Sequence, residues 1–238
     1  MSPFRPSGKI KAVIFDMDNT LFDFITAKLR ACARVCAILG EGNGNELFGY
    51  FCRENAGFEN TINIRDYMTD LCCFHEELYQ SCCRIYTDEK IRHITPYPGV
   101  RETLLVIRSQ GLRTGLVTDA HFHDARLRLE KAGLFDLFDT IVSYDHTGEK
   151  KPGHTPFLYA LSLLNASPGQ AILVGDSPRR DIAPGCALGM RTVYARYGNH
   201  SAKRGYNGGS DLAIDDIREI LSLIIAEYPH QGQTQLYE

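Results

Sequence analysis

Five short apolar segments, each closing on a polar or charged residue, recur along the chain. They are residues 12–18, 113–119, 139–145, 171–177 and 191–196. Uninterrupted apolar runs of this length are typical of strands buried on both faces. Segments with helical spacing lie between them, at 100–111, 124–133, 154–165 and around Ile217–Ile224. The alternation predicts an α/β fold, a Rossmann-like three-layer core in which helices cover both faces of a parallel sheet.

Residues 22–94 follow a different pattern, because they contain no strong buried strand. Segment 25–40 has apolar residues at helical spacing, segment 65–86 is also mostly helix-like, and 41–46 is expected to be a loop. This predicts a helical insertion after the first strand. We therefore expect a separate helical domain over 22–94 and a discontinuous core formed by 1–21 and 95–238.

Composition narrows the class of protein without naming it. The chain has 238 residues, 44% of them hydrophobic and 23% charged, values typical of a globular protein in water. A net charge of −3 gives no electrostatic reason to bind nucleic acid or an anionic membrane. No apolar run approaches the roughly 20 residues of a membrane helix, and the N-terminus lacks a signal core. The sequence does not decide between a monomer and a homodimer.

The pattern of cysteines indicates the redox state of the cellular compartment. The eight cysteines include no C-x-x-C pair, and a chain of this length needs no disulfide staples. Free cysteine is also a good small core side chain. We therefore expect buried thiols in a reducing cytoplasm rather than a metal or disulfide site.

Polar side chains with related chemistry follow the predicted strands. They are Asp16, Asp18, Thr118, Asp119, Asp176 and Asp181, and Lys150 and Lys151 precede a predicted helix. Ligands of an open parallel sheet bind beyond the carboxyl ends of its strands, so we expect these side chains at one edge. Two carboxylates as close in sequence as Asp16 and Asp18 repel each other unless a positive charge relieves them.

This set of side chains is typical of phosphoryl transfer. Clustered carboxylates suit a hard divalent cation, usually Mg²⁺ held with water and phosphate. A lysine and a hydroxyl beside that metal can bind phosphate oxygens. An aspartate can attack phosphorus to form an acyl phosphate.

Four motifs occur in an order that resembles one family. They are DMDNT at 16–20, Thr118 in LVTDA, Lys151 in KKP, and GDSPRRD at 175–181. The chain resembles haloacid dehalogenase (HAD)-superfamily hydrolases of the capped, phosphoglycolate phosphatase-like type. The resemblance spans residues 10–197, and the helical insertion lies where that family carries its cap. It implies a Mg²⁺-dependent phosphatase that hydrolyses a small phosphorylated metabolite through an aspartyl-phosphate intermediate.

The resemblance also implies roles for the motif residues. Asp16 would be the nucleophile, and Asp18 would protonate the leaving alcohol and then activate water. Thr118, Lys151 and the neighbouring Asp119 would form the phosphate-binding part of the site.

The implied metal site draws on the same motifs. Asp16, Asp18 through its backbone carbonyl, and Asp176 would hold Mg²⁺. Asp181 would order Lys151 or a metal-bound water, although a helix-capping role for Asp181 is an alternative.

Several residues near the motifs have other interpretations. Asp119 stands where the family commonly has Asn, which adds a negative charge beside the phosphate. Arg179 and Arg180 are expected to be solvated. His121 and His123 are expected at the surface or the rim of the site, and the cap residues Arg53, Arg65 and Tyr67 are candidates for substrate contact.

Two other functions remain open at this point. A metal-independent 2-haloacid dehalogenase uses the same nucleophile, but the family resemblance implies that such enzymes lack the second aspartate, so Asp18 argues against it. A phospho-accepting, non-enzymatic signalling domain uses a similar Asp, Thr and Lys set. The motif order and the insertion argue against that class.

Overall fold

The computed structural model describes residues 9–53, 57–199 and 207–227. In this part of the chain one sheet of six strands runs in the order β3-β2-β1-β4-β5-β6, and every neighbouring pair is parallel. The strands are β1 Ala12–Phe15, β2 Arg113–Val117, β3 Thr140–Val142, β4 Ala171–Gly175, β5 Arg191–Ala195 and β6 Leu212–Ile214. Five strands lie in the predicted apolar segments, and the prediction missed β6, which has three residues.

Helices separate the strands. Those in the described residues are α1 Phe24–Leu39, α2 Gly44–Phe51, α3 Ile62–Asp70, α4 Glu76–Arg92, α5 Val100–Ser109, α6 Phe122–Ala132, α7 Tyr144–Thr147, α8 Thr155–Leu163, α9 Ala183–Leu188 and α10 Ile220–Glu227. Helix α5 packs against β2 and α10, and α8 packs against β2 and β3. None of the helices in the described ranges is long and apolar enough to cross a membrane.

Both faces of the sheet are buried. Ile14 and Leu173 belong to a core cluster with Phe157 and Leu161 of α8. Since side chains alternate along a strand, Val13 and Phe15 face the other way, and both are fully buried. The predicted α/β class with a Rossmann-like parallel sheet is confirmed.

The chain divides into two compact units. One contains residues 1–22 and 96–238 and carries the sheet. The other contains residues 23–95 and is formed by α1 to α4. Its interior is an apolar cluster that includes Val35, Leu47, Ile64, Met68 and Tyr86.

One local prediction in the helical unit was wrong, and another was confirmed with a break in its helix. The segment 41–46 is not a continuous loop, because Asn43 caps α2 by accepting the Glu46 N–H, and the helix begins at Gly44. The segment 65–86 is mostly helical, as predicted, and divides into two helices. Helix α3 ends at Asp70, and Cys72 adopts a left-handed backbone conformation with φ of 56° before α4 begins.

The thiol prediction holds for some cysteines and fails for others. All eight are free, and Cys32, Cys36 and Cys82 are buried. Cys52, Cys72 and Cys186 are exposed, contrary to the expectation of buried thiols.

Candidate active site

The loop after β1 presents the first motif. The Asp16 N–H donates to the Val174 carbonyl of β4 at 2.9 Å, which continues the strand pairing as far as Asp16. The chain then turns sharply, because the Leu21 N–H donates to the Met17 carbonyl and Asn19 takes a left-handed φ of 63°. The Thr20 hydroxyl donates to the Asp16 carboxylate at 3.3 Å, so the turn helps to orient that carboxylate.

Lys151 reaches the same carboxylate from another part of the chain. Its ammonium donates to both Asp16 and Asp181, the latter at 2.6 Å, and all three side chains are almost fully buried. Burial lowers the pKa of Lys151, but the two carboxylates outweigh burial, so the pKa lies above its usual value. Lys151 is therefore a permanent cation in the site. Lys150 is exposed, with its ammonium 5.3 Å from the Tyr144 ring.

Asp16 remains ionised. Burial raises the pKa of its carboxyl, but Lys151 and Arg180 lower it by more, and the pKa lies below the ordinary value. An ionised carboxylate that is held by a hydroxyl and an ammonium has the charge and orientation of a nucleophile.

Asp176 completes an acidic cluster at the carboxyl ends of β1 and β4. Asp16, Asp176 and Asp181 can each offer an oxygen within 4.8 Å of the others, and all three residues are buried. Burial, with the charges of Asp16 and Asp181, raises the pKa of Asp176 well above its ordinary value. Buried carboxylates this close repel each other, and a hard divalent cation is the ligand that such oxygen donors suit. The donor set therefore fits a divalent metal.

Thr118 and Asp119 follow β2. Thr118 is buried, and its hydroxyl accepts the Ala120 N–H at 3.2 Å. One Asp119 oxygen accepts the Lys151 backbone N–H at 2.8 Å, and the other accepts from the Arg180 guanidinium at 3.2 Å. Arg180 was expected to be solvated; its side chain is 42% exposed, and its guanidinium is the counterion of Asp119. Arg179 is exposed as expected.

The Asp18 carboxylate pairs with a cation other than Lys151. Its Oδ2 accepts from Nη1 of Arg128 at 2.6 Å. Arg128 belongs to α6 and is fully buried, whereas the Asp18 side chain is 19% exposed. Sequence analysis did not identify Arg128, because nothing in its local sequence separates it from the other charged residues of α6.

Two glycines are required by close approaches at the site. A Cβ at Gly175 would lie 2.4 Å from the Asp181 carboxyl carbon, and one at Gly198 would lie 1.7 Å from the Asn19 carbonyl oxygen. Tyr197, beside Gly198, donates to the Thr20 carbonyl at 2.8 Å. The turn around residue 197 thus supports the loop that carries the first motif.

The remaining candidate residues differ in their burial and in their partners. His121 and His123 are exposed, and His121 pairs with Asp145 at 2.6 Å. Tyr67 is 2% exposed and accepts the Asn43 N–H, so it belongs to the interior of the helical unit and was wrongly proposed for substrate contact. Arg53 is half-buried and pairs with Asp66 at 2.9 Å, and Arg65 is exposed.

Comparison with known proteins gives a consistent result. The family model of haloacid dehalogenase-like hydrolases matches residues 13–195. Glyceraldehyde 3-phosphate phosphatase of Pyrococcus furiosus is 28% identical over 92% of this chain and 95% of the relative. Phosphoglycolate phosphatase of Chromobacterium violaceum is 30% identical over 90% and 96%. The crystal structure of a HAD phosphatase from Thermococcus onnurineus has a TM-score of 0.65 at 28% identity and covers 90% and 98% of the two chains.

Fold and site together define a hydrolase with a Rossmann-like core. Its acidic centre, which includes a lysine, lies at the carboxyl ends of the strands of a parallel sheet. The chain belongs to the haloacid dehalogenase-like hydrolases. The prediction of a hydrolase of phosphomonoesters is confirmed by the relatives and by the family match.

Proposed function

We propose that this enzyme is a Mg²⁺-dependent phosphatase that hydrolyses a small phosphomonoester through an aspartyl phosphate on Asp16. The observation that carries the proposal is the buried contact of Lys151 with both Asp16 and Asp181, beside Asp176. It combines an ionised carboxylate, a fixed cation and a donor set for a divalent metal in one place. Phosphoryl transfer depends on positioning and charge neutralisation, which this set supplies.

In the first step, an oxygen of Asp16 attacks phosphorus while the bond from phosphorus to the ester oxygen breaks. The Asp18 carboxyl gives its proton to the departing oxygen, so the product leaves as an alcohol. The first half-reaction therefore ends with a phosphoryl group on Asp16 and an ionised Asp18.

In the second step, Asp18 takes a proton from a water molecule as the water oxygen attacks phosphorus. The bond from phosphorus to Asp16 breaks, which releases inorganic phosphate and restores the ionised Asp16. Asp18 is protonated again and the cycle is closed. The same residue thus acts as acid and then as base.

The phosphate oxygens would be bound by residues on three loops. Thr118 is placed to donate its hydroxyl proton, since the hydroxyl oxygen already accepts the Ala120 N–H. Lys151 supplies a buried cation, and Arg180 adds a second cation whose position Asp119 fixes. Binding by preorganised cations favours the transition state because they need no rearrangement during transfer.

Asp16, Asp176 and the backbone carbonyl of Asp18 would hold Mg²⁺. Asp181 is better suited to a supporting role, because one oxygen accepts from Lys151 and the other accepts the Ser177 N–H at 3.0 Å. When bound, Mg²⁺ supplies positive charge that offsets the negative charge of phosphate and carboxylates.

The helical unit would act as the cap domain that selects the substrate, with Arg53 and Arg65 as candidate contacts. The relatives named for glyceraldehyde 3-phosphate and phosphoglycolate support a small phosphorylated metabolite as the substrate class. Eight free thiols are typical of a reducing compartment, so a cytoplasmic location belongs to this proposal.

The test is phosphate release from a panel of small phosphomonoesters that includes both of these compounds, with Mg²⁺ and with EDTA. The proposal predicts release only in the Mg²⁺ series. Metal-independent turnover of haloacids would assign the chain to dehalogenase chemistry instead. Absence of turnover with both substrate classes, together with slow loss of phosphate from a phosphorylated chain, would favour a phospho-accepting domain.

A further inference from the structure

Arg128 is an uncommon residue for the interior of a helix-covered sheet. It is fully buried and is among the largest such side chains in the described residues. A buried guanidinium is strongly unfavourable without a counterion, because a charge loses its hydration when it is removed from water. The Asp18 carboxylate, at 2.6 Å from Nη1, supplies that counterion.

The pairing separates the two carboxylates of the first motif. Asp16 is bonded to Lys151, and Asp18 is bonded to Arg128. Each aspartate therefore has its own buried cation, although only one residue lies between them. The two cations offset the repulsion between the neighbouring carboxylates. Both cations belong to the unit that carries the sheet.

We propose that Arg128 is a positioning residue for proton transfer, which holds the ionised Asp18 carboxylate in the orientation in which it takes a proton from water in the second step. The inference rests on the proposed function, in which Asp18 is the acid and base. Arg128 acts through Asp18, to which it donates a hydrogen bond. A purely stabilising role explains this ion pair less well, because an apolar pair of similar volume often stabilises a protein as much as a buried ion pair does.

The position of Arg128 in the fold supports this role. Helix α6 begins a few residues after Thr118 and Asp119, so one segment of chain carries both phosphate-side groups and the partner of Asp18. A helix is rigid, and its neighbours Ala125 and Leu129 are buried, so the guanidinium has a fixed anchor. Positioning by a rigid anchor limits the carboxylate to few orientations, which is what proton transfer requires.

The experiment compares Arg128→Gln with a matched control on the same helix, Arg126→Gln. Arg126 is exposed, pairs with Glu130 at 2.7 Å, and holds its guanidinium 5.7 Å from the centre of the Phe135 ring. With Mg²⁺ and the best substrate of the panel, we expect Arg128→Gln to lower kcat by about a hundredfold, the scale of general acid–base catalysis. Arg126→Gln should keep wild-type kcat, and Arg128→Lys should recover part of the loss.

A double-mutant cycle separates positioning from a structural role. In an Asp18→Asn chain there is no acid or base to position, so adding Arg128→Gln should cost no further activity. Thermal melting checks the fold of each variant, and Arg128→Lys, which keeps the positive charge, replaces Arg128→Gln in the cycle if Arg128→Gln alone does not fold. Equal losses in both backgrounds would show that Arg128 acts independently of Asp18 and would overturn the inference.

A pre-steady-state readout tests the two half-reactions. The leaving group of p-nitrophenyl phosphate needs no proton, so Arg128→Gln should retain the first burst of nitrophenol while steady-state turnover slows. A folded Arg128→Gln enzyme with wild-type burst and turnover overturns this inference alone. A wild-type chain that releases no phosphate from any substrate overturns the proposed function, and the inference with it.

Discussion

Arg180 donates a hydrogen bond to Asp119 at 3.2 Å, and Asp119 also accepts the backbone N–H of Lys151. The carboxylate that stands beside the expected phosphate position therefore has a counterion, and it ties two loops together. Burial lowers the pKa of the guanidinium, but Asp16, Asp181 and Asp119 outweigh burial and raise it. Arg180 is a second permanent cation of the site.

This pair predicts a change in substrate affinity. Arg180→Gln removes a cation and leaves the Asp119 charge facing the phosphate, so KM should rise about tenfold or more, the scale of a hydrogen bond to a charged group. Adding Asp119→Asn should recover part of the loss. Steady-state kinetics measure both effects, and the exposed Arg179→Gln is the matched control. Identical KM values for the Arg179 and Arg180 variants would contradict the assignment.

The close packing around Gly175 predicts that a larger side chain at this position lowers activity. An Ala side chain there would lie 2.4 Å from the Asp181 carboxyl carbon, so Gly175→Ala must displace Asp181 from Lys151. Because a displacement of about 1 Å can cost a hundredfold in rate, kcat should fall by about that factor. Gly49→Ala is the control, since Gly49 lies in α2 with open space around its Cα, and stability there should change by less than about 1 kcal/mol. Wild-type kcat in Gly175→Ala would show that the Asp181 contact is dispensable.

Metal removal tests the acidic cluster. EDTA treatment followed by gel filtration should abolish phosphate release, and added Mg²⁺ should restore it. Asp176→Asn removes one charged ligand, so the Mg²⁺ concentration needed for half-maximal activity should rise by about tenfold or more. Asp145→Asn, a change at an exposed carboxylate outside the cluster, should keep the wild-type requirement. Unchanged Mg²⁺ dependence in Asp176→Asn would contradict the proposed ligand set.

Thiol reactivity gives a pH-dependent prediction for the helical unit. Burial raises the pKa of the Cys32 thiol to about 12, although the Lys28 ammonium lowers it, and burial raises that of Cys82 to about 11. The thiolate is the reactive form, so both residues should resist iodoacetamide at pH 9 while exposed Cys52 and Cys186 are alkylated.

Peptide mass mapping of the native protein measures the labelling. Reactivity of Cys32 should increase only as pH approaches its raised pKa or as the unit unfolds. Rapid native labelling of Cys32 at pH 8 would contradict its place in the apolar cluster of the helical unit.

Local sequence was enough to predict the strands that carry the motifs. A strand buried on both faces is a run of apolar residues, and β1, β2 and β4 each show one that ends at a motif residue. The ordering of strands in a parallel sheet then brings their carboxyl ends together. For this reason Asp16, Lys151, Asp176 and Asp181 could be grouped from the sequence.

The cation partners could not be predicted in the same way. Arg128 is 110 positions from Asp18, and Arg180 is 61 from Asp119, so no local spacing indicates either pair. Strand β6 and helix α2 were missed for a different reason. The strand has three residues, and the helix begins among Gly and Asn residues that are typical of turns.

The central claim is that Asp16 carries the phosphoryl group, and chemical trapping tests it most directly. The Asp18→Asn enzyme, which should hydrolyse the intermediate slowly, is mixed with p-nitrophenyl phosphate and Mg²⁺, quenched in acid and reduced with borohydride. Reduction of an aspartyl phosphate yields homoserine, and peptide mapping should find it at position 16 and not in an Asp16→Asn chain. Unmodified Asp16 in an enzyme that continues to release phosphate would contradict the account.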